Sequence, residues 1–168
     1  MSGDGGASGP QTAQGDGAPG SDIPSLIVTK TRVPSLRPDL LPRRRLLDFL
    51  QGHLTCKLIL ISAPAGYGKT SLLTDFAHGT DLPVCWYTLD PFDQDLSIFL
   101  DHLIGALGRR FKGFGERTRA LLREVADPRG RLHAIAVSLV KEIHEQIPEY
   151  FVLVLDDHHT VEDIGITL

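Results

Sequence analysis

The chain has 168 residues, of which 42% are apolar, and its formal net charge is −4 with a pI near 5.9. This composition is typical of a globular domain, since no stretch reaches the roughly 20 apolar residues of a membrane-spanning helix and the chain does not start like a secretory signal. Because nucleic-acid binding depends on Lys and Arg neutralising phosphates, the acidic balance disfavours it for this segment, and we expect a cytoplasmic protein without a membrane partner.

The first 24 residues have a composition that cannot form a core. From Ser2 to Asp22 they are small or polar, with no large apolar side chain. Such a segment cannot bury enough apolar surface to offset the entropy lost on ordering. We therefore expect a disordered tail over 1–24 and one folded domain over 25–168.

A lead-in over 26–41 contains prolines and shows no clean periodicity, so we expect an extended segment that packs over the domain. Six basic residues and one acid lie between positions 30 and 45. A solvated basic face is favoured over contact with an anion or nucleic acid. The basic residues are Lys30, Arg32, Arg37, Arg43, Arg44 and Arg45.

The first predicted helix begins at Pro42, which suits the first helical position, and continues through leucines at helical spacing. Residues 57–62 (K-L-I-L-I-S) are a short apolar run that ends in a turn, which is typical of a strand buried on both faces. A helix over 69–78 closed by Gly79 and a second strand over 84–89 (V-C-W-Y-T-L) follow.

Three further helices are predicted over 96–111, 115–125 and 131–147, and Pro148 ends the last of them. The third strand, 151–155 (F-V-L-V-L), is apolar throughout. Strands that alternate with helices predict an α/β domain whose mainly parallel sheet is covered by helices on both faces.

The two cysteines, Cys56 and Cys85, flank or lie inside predicted strands. This usage suits a reducing compartment and argues against a disulfide framework or a zinc site. We expect both cysteines to be packing residues.

The segment A-P-A-G-Y-G-K-T, residues 63–70, lies between a predicted strand and a predicted helix, as a phosphate-binding loop requires. Backbone N–H groups at a helix N-terminus bind polyphosphate with little rearrangement. Gly66 and Gly68 permit close approach of the backbone, while Lys69 would reach the β- and γ-phosphates of ATP. The predicted nucleotide-binding residues here are Ala63, Pro64, Ala65, Gly66, Tyr67, Gly68, Lys69, Thr70 and Ser71.

One position departs from the usual G-x-x-x-x-G-K-[ST] pattern. Ala63 stands where the first glycine is expected, and alanine is small enough to be accepted there. An ordinary glycine turn beside a surface lysine is the alternative. The position between strand and helix favours the phosphate loop.

A pair of acids follows the third predicted strand. Asp156 and Asp157 come at its carboxyl end, where Asp156 and the hydroxyl of Thr70 would hold Mg²⁺. Asp157 would orient or deprotonate the attacking water and, with Lys69, would be catalytic. His158 and His159 extend this polar run, but consecutive residues leaving a strand point in different directions, which disfavours a transition-metal site.

With these residues in place, the chain resembles the STAND class of signalling ATPases, in particular the large ATP-binding LuxR-type (MalT-like) transcriptional regulators. The resemblance runs from about Leu26 to Val161 and rests on segments spread along that length. They are K-T-R-V-P, L-P-R-R-R-L-L-D-F-L, S-A-P-A-G-Y-G-K-T, W-Y-T-L-D and L-V-L-D-D-H-H.

The resemblance implies a P-loop NTPase fold and an ATP-binding, slowly hydrolysing switch that controls self-association and transcription. It places Arg43 near the nucleotide base and makes Asp90 the end of the W-x-x-L-D element. His159 matches a family histidine, whereas His158 stands where the family has Tyr. ATP or ADP and Mg²⁺ are the implied ligands, and DNA would be bound only by a C-terminal region that this chain does not contain.

In that family a further strand, later in sequence, lies between the phosphate-loop strand and the Asp156 strand. Only 11 residues follow Asp157, so we expect a P-loop domain truncated after its Walker B strand and marginal folding. ATPase activity is then expected of a full-length protein and is doubtful in this fragment. Two alternatives stay open: a small P-loop kinase acting on a metabolite, and a non-catalytic nucleotide-binding fragment.

Overall fold

The computed structural model describes residues 29–38 and 41–158. The predicted tail over 1–24 and the predicted contribution of His159 lie outside these residues. Within them the regular elements are α1 (Arg44–Gly52), α2 (Lys69–Gly79), β1 (Val84–Thr88), a 3-10 helix (Pro91–Gln94), α3 (Leu96–Arg110), α4 (Glu116–Glu124), α5 (Leu132–Gln146) and β2 (Val152–Asp156).

The two strands form a parallel pair. Val84 lies opposite Val152, and the register runs to Thr88 opposite Asp156. The pairing continues past the strand ends, because Leu89 N–H donates to the carbonyl of Asp156 at 2.9 Å. The structure thus confirms an α/β architecture with a parallel sheet.

Helices cover both faces of this pair. Successive side chains of a strand alternate between the faces, and Cys85 and Tyr87 face the buried side chains of α3, such as Leu100 and Ile104. On the opposite face Val152 packs with Leu72, on α2, and its neighbours. The even-numbered residues of β2, including Asp156, therefore share the face that α2 covers.

Residues 57–62 are not a strand, so this prediction was wrong. A parallel strand needs a neighbour for its backbone groups, and within the described residues the sheet contains only β1 and β2. Ile59 and Ile61 pack against the α1 and α2 cluster, whereas Leu58 and Leu60 are 64% and 66% exposed. The segment thus buries one face, and the expectation of burial on both faces also fails.

Three smaller expectations are also corrected. The first helix begins at Arg44 rather than Pro42, and Arg43 at its N-cap makes no capping hydrogen bond through its side chain. Cys56 is exposed and so is not a packing residue, whereas Cys85 is buried as expected. Leu153 and Leu155 of β2, expected to be buried, are 37% and 41% exposed.

A buried carboxylate joins the N-terminus of α4 to α5. Glu142 is fully buried and accepts hydrogen bonds from Arg117 N–H at 3.0 Å and Thr118 N–H at 2.9 Å, and also from the Thr118 hydroxyl. Burial opposes the charged form, but these hydrogen bonds outweigh it and hold the pKa of Glu142 below its ordinary value. The carboxylate thus serves as a remote cap for α4.

The turn before α4 depends on glycine. Gly113 and Gly115 have φ of +80° and +87°, a region that side chains disfavour. A Cβ on Gly115 would lie 2.0 Å from Ile104 Cγ2, whereas one on Gly113 would meet nothing within 4 Å. Gly115 therefore lets the turn close onto the core.

Among the described residues, no helix is both long enough and apolar enough to cross a membrane.

Candidate functional site

The glycine loop, residues 63–70, connects the 57–62 segment to α2. Gly66 and Gly68 adopt φ of +81° and +71°, which glycine does at no steric cost. Gly68 is the N-cap of α2 and its carbonyl accepts from Leu72 N–H at 3.0 Å. The first turn of α2 contains no acidic side chain, so the positive end of its helix dipole is not neutralised from within the helix.

Arg43 lies directly against this loop. A Cβ built on Gly68 would fall 2.7 Å from the Nη2 atom of Arg43. Glycine at this position therefore admits the guanidinium as well as the positive φ. The structure brings Arg43 to the glycine loop.

Lys69 folds back over the loop that precedes it. Its ammonium donates to the carbonyl of Ala63 at 2.8 Å and to that of Pro64 at 3.2 Å. These contacts hold the cation over the first residues of the loop. An anion bound by the loop would therefore lie close to the ammonium charge of Lys69.

Thr70 and Asp156 meet across the fold. The Thr70 hydroxyl donates to Oδ1 of Asp156 at 3.0 Å, although 86 positions separate the two residues. Thr70 is in the first turn of α2, and Asp156 is the last residue of β2 on the face that α2 covers. The packing of Val152 against α2 and the alternation along β2 thus suffice to bring these oxygens together.

Asp156 is 4% exposed. Burial raises its pKa, and the nearby charge of Asp157 acts in the same direction, against the hydrogen bond from Thr70 and the charge of Lys69. A divalent cation beside it would favour the ionised form. The pair of hard oxygen donors, hydroxyl and carboxylate, is the type of ligand that Mg²⁺ takes.

Asp157 turns away from β2 with φ of +58°, which is uncommon outside glycine. It lines the same cavity as the glycine loop, together with Gly66, Lys69 and Thr70. The backbone turn is what separates the directions of Asp156 and Asp157. One acid meets the Thr70 hydroxyl while the other faces the open cavity.

The cavity has a volume of about 430 Å³ and is open to solvent. Ser71 and Ala65 also line it, whereas Tyr67 is 63% exposed at the tip of the loop. A second depression of about 460 Å³ lies between α4 and α5, near Leu121 and Arg131. It lacks a glycine loop, so the chemistry favours the first cavity.

The transition-metal site disfavoured by the sequence would use the run that starts at Asp156, which is described only as far as His158. No group of three or more His, Cys, Asp or Glu side chains that could hold a metal ion occurs in the described part of the chain. His158 is exposed, and His159 is outside the described residues.

One wall of the cavity was not predicted from the sequence. Residues 29–38, here called the strap, run beside the glycine loop, and Pro34, Ser35 and Arg37 line the cavity. The basic run was expected to be a solvated face, which holds for the exposed Arg44 and Arg45 but not for Lys30. The sequence signal for the strap was the prolines of the lead-in, because they require a non-helical path of the chain.

The sequence also did not predict the buried polar cluster under the strap. Lys30 Nζ lies 2.7 Å from Asp90 Oδ2 and 3.0 Å from Asp93 Oδ2. His102 Nδ1 lies 2.8 Å from Asp93 Oδ1, and Asp93 is fully buried. The spacing of the acids in L-D-P-F-D, which forms the capping box of the 3-10 helix, was the available signal.

The matches to known proteins cover nearly the whole chain but little of the matched proteins. The chain is 34% identical over 152 residues to the serine/threonine-protein kinase PknK of Mycobacterium tuberculosis (strains CDC 1551 / Oshkosh and ATCC 25618 / H37Rv) and of Mycobacterium bovis. The match takes in 89% of this chain and 13% of each relative. No protein-family model matches the chain.

Proposed function

We propose that this chain is the nucleotide-binding part of a P-loop ATPase that works as a switch, and that the glycine loop binds the phosphates of ATP with Mg²⁺ between Thr70 and Asp156. The observation that carries the proposal is the 3.0 Å contact from the Thr70 hydroxyl to Asp156. In P-loop NTPases these two residue types hold the metal.

The phosphates would be bound mainly by the backbone. Gly66 and Gly68 have the left-handed φ that turns successive N–H groups toward one point, and α2 adds the positive end of its dipole. Lys69 supplies a full charge at the same place. An anion of high charge density is the ligand that such a loop favours over a neutral one.

Mg²⁺, when bound with the nucleotide, would neutralise charge on the phosphates and polarise them. Thr70 and Asp156 would hold it, because their oxygens are already adjacent and α2 and β2 fix their positions. The raised pKa of Asp156 follows first from burial, and a dication would remove that penalty. Both residues thus fit the metal by their chemistry and their placement.

Asp157 is the residue we assign to the attacking water. It lines the cavity on the side of Lys69 and Thr70, and a carboxylate in that position can orient a water or accept its proton. The assignment separates binding from hydrolysis. Loss of Asp157 should slow turnover without removing the phosphate site.

The wider role follows from the resemblance to the ATP-binding LuxR-type regulators: a switch whose ATP state controls self-association and transcription, with DNA bound outside this chain. The kinase activity in the relatives' name does not transfer directly, because the chain spans about 13% of their length. The H-R-D and D-F-G signatures of protein kinases do not occur in its 168 residues.

The test measures ATP binding and phosphate release by the 168-residue chain and two variants. Lys69→Ala should abolish ATP binding, whereas Asp157→Asn should bind ATP and release phosphate more slowly. Phosphate release from ATP alone would separate an ATPase from a small-molecule kinase, which needs an acceptor. Wild-type levels of binding and turnover in both variants would refute the site.

A further inference from the structure

The strap is tied to the fold at two points. At one end Lys30 forms ion pairs with Asp90 and Asp93, and its side chain is only 14% exposed. Farther along, His78 Nε2, in the last turn of α2, donates to the carbonyl of Pro34 at 2.9 Å. One tie therefore joins the strap to the end of β1, and the other joins it to the helix that carries the glycine loop.

The strap forms one wall of the cavity at the Pro34 contact and just beyond it. Pro34, Ser35 and Arg37 line it, on the same cavity as Gly66 and Lys69. Proline fixes its own φ and restricts the residue before it, so the strap has limited freedom at Pro34. Arg37 is thereby held among the residues that line the cavity.

The charge balance of the cavity depends on Arg37. The ionisable side chains that line it are Arg37, Lys69, Asp75 and Asp157, which sum to two cations and two anions. Arg37 is thus one of the two cations that offset the two acids of the lining. A guanidinium is also suited to phosphate, because its planar donors bind two oxygens at once.

We infer that Arg37 is a second cation for the polyphosphate of the bound nucleotide, and that Lys30 and His78 are positioning residues that hold the strap so that Arg37 faces the glycine loop. This inference rests on the proposed function, since it assigns further residues to the same site. Lys30 and His78 act only through the strap and do not touch the ligand.

The first experiment compares Arg37→Gln with Arg32→Gln. Arg32 is a matched control, because it is an exposed arginine of the same strap that does not line the cavity. A lost hydrogen bond to a charged group corresponds to an affinity about tenfold to a hundredfold weaker. Arg37→Gln should weaken ATP binding by that factor, and Arg32→Gln should leave it unchanged.

Tripolyphosphate as a competitor separates the phosphates from the rest of the nucleotide. It has neither base nor sugar, so a contact between Arg37 and phosphate predicts that Arg37→Gln weakens tripolyphosphate and ATP by similar factors. If ATP weakens and tripolyphosphate does not, Arg37 contacts another part of the nucleotide and the inference is overturned.

A double-mutant cycle tests the positioning role. His78→Ala should weaken ATP binding in the wild-type background and have little effect in the Arg37→Gln background, because the residue acts through Arg37. Lys30→Ala should behave in the same way. A merely structural role for either residue would weaken ATP binding equally in both backgrounds. His78 is exposed, so we expect His78→Ala to fold. The cycle with this variant therefore tests the positioning role even if Lys30→Ala does not fold.

Failure of the inference can be told apart from failure of the proposed function. If the wild-type chain does not bind ATP, or if Lys69→Ala binds as well as wild type, both are refuted. If binding depends on Lys69 but Arg37→Gln and Arg32→Gln behave alike, only the assignment of Arg37 is refuted.

Discussion

Glu142 offers the sharpest test of how the helical side of the domain is held. Replacing Glu142 by Ala leaves the N–H groups of Arg117 and Thr118 without the carboxylate that accepts from them at 3.0 and 2.9 Å. Each buried donor that loses its acceptor costs about 1–3 kcal/mol, so the two N–H groups together cost about 2–6 kcal/mol. The substitution also removes the cost of burying the carboxylate, so we expect a loss of folding stability toward the lower end of this range, about 3 kcal/mol.

Urea unfolding followed by the fluorescence of Trp86 is the suitable assay. Trp86 is the single tryptophan of the chain and is 1% exposed, so its emission reports the core. Glu142→Ala should lower the midpoint with an unchanged slope. Glu145→Ala is the control on the same helix, because Glu145 pairs with Arg117 at the surface, and exposed pairs contribute little.

The pH dependence gives the same prediction an independent check. The folded pKa of Glu142 lies below its ordinary value of 4.5, so the unfolded state binds the proton more readily. The stabilisation is present above pH 4.5 and is lost as the pH falls through the folded pKa. The stability difference between wild type and Glu142→Ala should therefore shrink below pH 4.5. A difference that is absent at neutral pH, or that grows on acidification, would refute the reasoning.

Two further predictions concern packing. Gly115→Ala should destabilise the chain more than Gly113→Ala in the same urea assay. Both substitutions add strain at a positive φ, about 1–2 kcal/mol, but only Gly115→Ala also clashes with the core. Equal losses of stability would contradict this. Cys56 should react with a thiol reagent in the native state, whereas Cys85 should react only on unfolding, because burial raises the pKa of its thiol to about 12. Rapid labelling of both cysteines in the native state would show that the core around β1 is open.

Much of the architecture followed from local patterns. The stripes of apolar residues gave α3, α4 and α5 to within about one residue at each end, because a 3.6-residue period is visible without any tertiary information. The approach of Thr70 to Asp156 at 3.0 Å agrees with the expectation that both residues hold the same Mg²⁺ ion. It required only that β2 lie beside α2.

Other features depended on partners that the local pattern does not reveal. The run K-L-I-L-I-S has the composition of a strand, but whether it joins a sheet depends on a neighbour, and its alternate leucines are exposed here. Lys30 looked like one of several surface cations. Its ion pairs with Asp90 and Asp93 join positions 60 or more residues apart, and no short-range pattern gives such a pairing.

The role of Thr70 and Asp156 as a metal site is the claim on which the account rests, and the Mg²⁺ dependence of ATP affinity tests it most directly. ATP binding is titrated with Mg²⁺ and again with EDTA, for wild type and Asp156→Asn. We predict that Mg²⁺ strengthens wild-type binding about tenfold or more, that Asp156→Asn loses this gain, and that the two proteins bind alike in EDTA. An equal gain from Mg²⁺ in both proteins would contradict it.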